Sequence, residues 1–152
     1  MRHRSRALAL ALGAAGAGVA GAASPPAAAE LTVEVTNLRN AKGLVRACLT
    51  SEAEGFPDCS DPARSYQIAV PAMGRVTLTF LGVRPGRYAV ALLHDENGNG
   101  KADRAAMMIP REGFGFSRDA KVRFGPPRFA AAAFDIASGS AERISIRMRY
   151  ML

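Results

Sequence analysis

The chain has 152 residues, of which 49% are hydrophobic, with a formal charge of +7 and two cysteines. That length and apolar share allow one domain of ordinary size with a real core. The charge excess alone does not make a nucleic-acid binder, because no basic run of five or more residues occurs.

Arg2, His3, Arg4 and Arg6 form a positive leader, and the stretch from Ala7 to Ala23 is almost wholly Ala, Leu, Gly or Val. The segment "SPPAAAE" then supplies a turn and an Ala-x-Ala site at Ala27–Ala29. This order predicts a secretory signal peptide over residues 1–29, cleaved after Ala29, and a mature domain over 30–152. The apolar run is too rich in Ala and Gly for a membrane span, which needs about 20 strongly apolar residues. No second apolar run follows, so no transmembrane segment is expected in the mature chain, and its expected location is periplasmic or secreted. Loss of Arg2, Arg4 and Arg6 lowers the formal charge to +4, since no acid leaves with them. A nucleic-acid partner is therefore not expected.

The mature region alternates with the period of strands. "LTVEVTNL" sets Leu31, Val33 and Val35 against Thr32, Glu34 and Thr36. "LVRACLT" follows the turn residues Asn40 and Gly43, and "SYQIAV" stops at Pro71. "GRVTLTFL" alternates again, whereas "RPGRYAVALL" opens on a Pro-Gly turn and is apolar on both faces, as in a central strand. A further strand is expected in "AAFDI", and "ERISIRMRY" alternates most cleanly. Only "RFAAAAF" has the makings of a short helix. About seven short strands with Gly/Pro turns predict an all-β fold, an antiparallel β-sandwich. From Pro110 to Pro127 the chain is rich in Gly, Arg and Phe without a clear period, and long irregular segments of this kind are often functional.

Cys48 and Cys59 are the only cysteines. In an oxidising compartment such a pair predicts a disulfide, closing a loop worth up to ~3 kcal/mol. Two thiolates do not fill a tetrahedral metal site.

The stretch "HDENGNGKAD", His94 to Asp103, carries oxygen ligands at alternate positions. Ca²⁺ takes about six to eight oxygens, and Asp95, Asn97, Asn99, the Lys101 carbonyl and Asp103 can supply part of that set, with Gly100 allowing the sharp turn. The acid that would complete the loop is missing, because Ala106 stands in its place. Two ligands are neutral amides, and Lys101 and Arg104 oppose the cation, so the expected affinity is at the weak end, ~10⁻⁴–10⁻³ M. The alternative is a turn in which these side chains satisfy the loop's own amides.

After cleavage His94 is the one remaining histidine, so a hydrolase using a histidine base would have to use it. No Gly-x-Ser-x-Gly elbow occurs, and His94 and Asp95, adjacent on a strand, would face opposite ways. The segment "EGFGFSRDAKVRFGPPRF" places Phe114, Phe116, Phe124 and Phe129 among arginines. Phe114, Phe116, Arg118 and Arg123 are the candidate ligand surface, with aromatic faces for sugars and guanidinium groups for anions. The alternative is that the phenylalanines pin the loop to the core.

"LTVEVTNLRNAKGLVRACL", "VRPGRYAVALLHDENGNGKAD" and "IPREGFGFSRDAKVRFGPPRFAAAAFDI" together resemble an uncharacterised bacterial family of small exported proteins, classed as a domain of unknown function. The similarity covers nearly the whole mature chain. That family has no established catalytic residues to carry over. The Pro-Gly turn, the Tyr-bearing strand and the Asp/Asn/Gly loop more loosely resemble the prealbumin-like sandwiches, among them carboxypeptidase regulatory domains. This resemblance implies a binding or structural module. The expectation is thus an exported, non-enzymatic β-sandwich with a binding or structural role in the cell envelope, whose partner is an envelope protein or a glycan. The alternatives are a carbohydrate- or small-ligand-binding protein using residues 110–128, and a hydrolase built on His94.

Overall fold

The computed structural model describes residues 23–105 and 109–152. Most of the expected signal peptide, and Ala106, lie outside the described residues. The protein is all-β, with eight strands in two layered sheets.

β1 (Ala29–Thr36), β4 (Val76–Val83) and β8 (Ala141–Arg147) form one sheet in the order β4-β1-β8. β1 pairs antiparallel with β4 and parallel with β8, the one departure from the antiparallel pattern among the paired strands. The second sheet runs β3 (Ser65–Pro71), β2 (Leu44–Thr50), β5 (Gly86–Asp95) and β6 (Gly113–Phe116). β7 (Phe134–Ile136) pairs with the start of β5, so β6 and β7 follow one another down that long strand. Residues 117–133 bulge out between them and include one helical turn, α1 (Phe129–Ala132).

Alternation decides which side chains meet between the layers. Leu31, Val33, Leu78 and Phe80 from one sheet pack on Val45, Leu49, Val90 and Leu92 from the other. β5 is apolar on both faces because both are covered. Its other face, with Ala89 and Ala91, joins a smaller cluster with Phe116, Ala120 and Ala132, flanked by Phe56, Val122 and Phe129.

The expected strand boundaries match closely, and β2 covers the whole of "LVRACLT". β6 is the addition, inside the segment expected to be irregular. Its sequence, Gly-Phe-Gly-Phe, has a packing reason. The glycines face the interior, where a Cβ on Gly115 would sit 2.8 Å from Ile146 Cγ2, and one on Gly113 would sit 2.6 Å from Tyr150 Cζ. Only glycine lets this strand lie so close to the end of β8. The backbone of Phe114 bonds that of Arg149 in both directions, at 3.0 and 2.8 Å, tying the two sheets together at this corner. Ala29, the residue expected to end the leader, is the first residue of β1 and is buried. Among the described residues no helix is long and apolar enough to cross a membrane.

Candidate functional site

The Asp95–Asp103 loop leaves the end of β5 and curls on itself. Asp95 is fully buried, and its carboxylate accepts the backbone N–H groups of Asn99 at 3.0 Å and Gly100 at 2.9 Å. Arg46, on the neighbouring strand β2, donates to the same carboxylate at 2.6 Å. Burial pushes the Asp95 carboxyl up, but Arg46 and the two amides outweigh it and hold the group below the usual carboxylate range. Gly100, at φ 77°, supplies the left-handed step that brings its N–H back to Asp95. The side-chain oxygens of Asn97 and Asn99 each accept the N–H two residues on, and both side-chain amides donate to Asp103 Oδ2, at 2.6 and 3.0 Å. The four side chains expected to hold calcium thus converge on one turn, and its amides and carboxylates already have partners.

The sequence alone does not mark Glu112 as part of this loop. It precedes β6, is buried, and accepts the backbone N–H groups of Glu96 and Asp103, each at 3.1 Å. One carboxylate therefore staples both ends of the loop together. Nothing in the sequence signals that pairing, because it joins residues 16 and 9 positions apart across an irregular segment. Glu96 is held in turn by Arg39 at 2.7 Å and Asn40 at 3.0 Å. Burial works against its ionisation, yet Asn40 and Arg39 together keep its carboxyl below the usual range.

Beside the loop, a groove of about 1000 Å³ crosses the outer face of the β2–β5–β6 sheet. Phe114, Phe116, Ala91 and Leu93 line its floor. Arg46 and residues 100–104 form one wall; Val122–Pro126 form another, with Pro57–Cys59 closing an end. The Cys48–Cys59 disulfide is formed, with the Cα atoms 5.8 Å apart, and both cysteines line the groove. It anchors the 51–58 loop, from which Phe56 packs edge-on against Phe116 and Phe129, with ring centroids 5.7 and 6.1 Å apart.

Of the four candidate ligand residues, Phe114, Phe116 and Arg123 come together in this groove. Phe116 is also part of the smaller cluster, so the pinning role and the lining role coexist. Arg118 is placed elsewhere. It sits in a 3-10 turn, Ser117–Asp119, at φ 58°, and its guanidinium donates to the Ala133 carbonyl at 3.1 Å. In the sequence Phe124 stands out only as one of several aromatics. In the structure it is 107% exposed, a whole ring standing in water at the groove's edge.

His94 points the other way, into the space between the sheets, and is fully buried. Its Nε2 lies 2.8 Å from the Lys42 carbonyl, which can only accept, so Nε2 carries the proton. Nδ1 then accepts from the Tyr150 hydroxyl at 2.8 Å. Burial raises the Tyr150 hydroxyl above its ordinary value, consistent with a neutral donor. Both ring nitrogens are thus engaged, and the ring lies away from the groove.

The family described as "Uncharacterized protein conserved in bacteria (DUF2141)" matches residues 33–145. The chain belongs to this family. The match runs from β1 into β8 and so takes in both the Asp95–Asp103 loop and the Phe-rich segment of this family member. No curated protein and no solved structure matches the chain.

Proposed function

We propose that this DUF2141 protein is an exported, non-catalytic module that binds a small ligand in the groove on the outer face of its five-stranded sheet. The observation that carries this reading is the meeting of two sequence-distant segments, 100–104 and 122–126, over an apolar floor of Phe114 and Phe116. Concave, largely apolar sites with a few charged groups are the usual form of small-ligand sites. The disulfide and the leader sequence support export to an oxidising compartment. The engagement of both His94 nitrogens supports a structural rather than catalytic histidine. An envelope protein partner is the competing occupant of the same face.

The test is a thermal-shift screen of the purified periplasmic protein against small metabolites, lipids and glycans, repeated with Ala102→Trp. Ala102 is an exposed residue on the groove wall, so the larger side chain blocks the groove without entering the core. A genuine ligand at ten times its Kd stabilises by ~1.4 kcal/mol, a shift of several degrees. That shift should vanish in Ala102→Trp. Hits that ignore the substitution would place binding elsewhere.

The Asp95–Asp103 loop supports a second, subordinate reading as a weak Ca²⁺ site. The oxygens of Asp95, Asn97, Asn99 and Asp103 lie on one turn, and Lys101 contributes its carbonyl position. A cation would have to displace Arg46 from Asp95 and the two Asn amides from Asp103, which keeps its affinity at the millimolar end.

A further inference from the structure

We infer that the ligand of the groove is an amphiphilic carboxylate: an unbranched acyl chain lying over Phe114 and Phe116, with its anionic head against Arg104 and Arg123. The inference rests on the groove being a binding site, and it names what fills it.

Charge is the first observation. Four basic side chains line the groove, Arg46, Lys101, Arg104 and Arg123. Arg46 is taken by Asp95. Among the described residues, Lys101, Arg104 and Arg123 make no ion pair and no side-chain hydrogen bond. The acids on the same walls do not answer them. Glu112 accepts two backbone N–H groups and Asp103 Oδ2 two side-chain amides, contacts that orient these carboxylates without neutralising them, and Asp58 makes no ion pair among the described residues. By count the three acids balance Lys101, Arg104 and Arg123, but Glu112 is buried and turned to the loop, so what the groove opens to a ligand is free cationic donors around an apolar floor.

The apolar surface is the second observation. Phe124 and Met151 are both exposed at the groove. An uncovered ring beside an apolar floor is the surface that a flexible chain would cover, at about 0.8 kcal/mol for each CH₂ buried. The volume lies at the upper end of the ~300–1,000 Å³ range of small-molecule sites, room for a chain rather than a single ring.

Hydrogen-bonding capacity is the third. Among neutral amide side chains the groove lining holds one, Gln67. Gln67 donates its amide to the Cys59 carbonyl. The chemistry present suits one negative head and a hydrocarbon body. It does not suit a ring of hydroxyls.

The chain contains no tryptophan, so Phe124→Trp places a single reporter at the groove. In that protein, monomeric octanoate, decanoate and dodecanoate should each blue-shift the emission saturably. Affinity should rise roughly tenfold for every two carbons. Dodecanol, with the same chain and no charge, and dodecyltrimethylammonium, with the opposite charge, should bind more weakly than dodecanoate. Arg104→Gln and Arg123→Gln, both at exposed positions, should each weaken dodecanoate roughly two- to fivefold and leave dodecanol unchanged. Equal binding of dodecanol and dodecanoate would overturn the assigned head group. Binding only to phosphatidylglycerol vesicles, with no monomer binding, would overturn the free carboxylate in favour of a membrane surface. If dodecanoate fails while another screened compound binds in an Ala102→Trp-sensitive way, the ligand class falls and the binding groove stands. If nothing binds in that way, both fall.

Discussion

The two faces of the five-stranded sheet are built by different rules. The inner face is large and aliphatic. Val45, Leu49 and Val90 are fully buried there against the opposite sheet. The outer face of the same strands carries small residues, Ala89, Ala91 and the half-buried Cys48, and its cover is an irregular excursion with a groove in it. A face buried by a sheet is fixed by repeated contacts along whole strands. A face covered by a loop depends on a few anchors: one disulfide, one buried carboxylate and a cluster of phenylalanines. The inner face therefore carries most of the packed core, and the outer face is the one on which the proposed binding rests.

Truncation should separate the faces most sharply. Leu49→Ala removes a fully buried side chain from the inner layer and should cost about 4 kcal/mol. Phe124→Ala removes an exposed ring from the outer side and should change stability by less than about 0.5 kcal/mol, while weakening ligand binding. Urea unfolding of the two variants measures both. Similar costs would mean that the outer cover is part of the main core.

Reduction of Cys48–Cys59 comes next. It should lower stability by up to ~3 kcal/mol, measured by denaturation with and without reductant. Because the bridge also anchors Pro57–Cys59 at the end of the groove, reduction should lower ligand affinity as well. A loss of stability with unchanged binding would detach the disulfide from the groove.

Acid should act through Asp95. Its folded-state carboxyl ionises below the ordinary value of about 3.9, so the charged form adds stability at pH above that value. The contribution is lost as pH falls below 4 through the folded value. Asp95→Asn should cost about 2 kcal/mol at pH 7, because Arg46 loses its charged partner and the amide oxygen can replace the carboxylate as acceptor on one side alone. Its stability should then fall less than that of wild type between pH 5 and pH 3. Parallel pH profiles would show that Asp95 is not the acid-sensitive contact.

This contrast also sets what could be read in the sequence. The alternation of "LTVEVT", "VTLTF" and "RISIR" reports the inner faces directly, because a period of two is enforced wherever one face meets a packed layer. The double-sided apolar character of "YAVALL" correctly marks β5 as covered twice. β6 is not legible, because Gly113 and Gly115 stand where inward side chains would have shown the period, and they are glycine to let the strand touch Ile146 and Tyr150. The candidate site is legible in its parts. The Asp/Asn/Gly loop and the Phe/Arg segment each stand out in composition. Their meeting in one groove is not, and neither is the Glu112 staple, since both depend on how an irregular segment folds back over the sheet. Arg118 belongs to the same composition as Arg123 and ends up facing Ala133 instead.

Calcium should have the smallest effect. At ten times its Kd it should stabilise by ~1.4 kcal/mol, seen as a rise in Tm over chelator. Mg²⁺ should do less, because it demands near-ideal octahedral geometry. Asp103→Asn should abolish the calcium shift and leave the chelated melt nearly unchanged. A shift that survives in Asp103→Asn would put the ion outside this loop.

The central claim, that the outer face is the binding face, is tested most directly by a map of backbone amide shifts during titration with dodecanoate. Shifts should concentrate at Gly100–Arg104, at Phe114 and Phe116, and at Val122–Gly125, with the amides of β1, β4 and β8 unmoved. Shifts centred on the β4-β1-β8 sheet, or no shifts at saturating ligand, would contradict it.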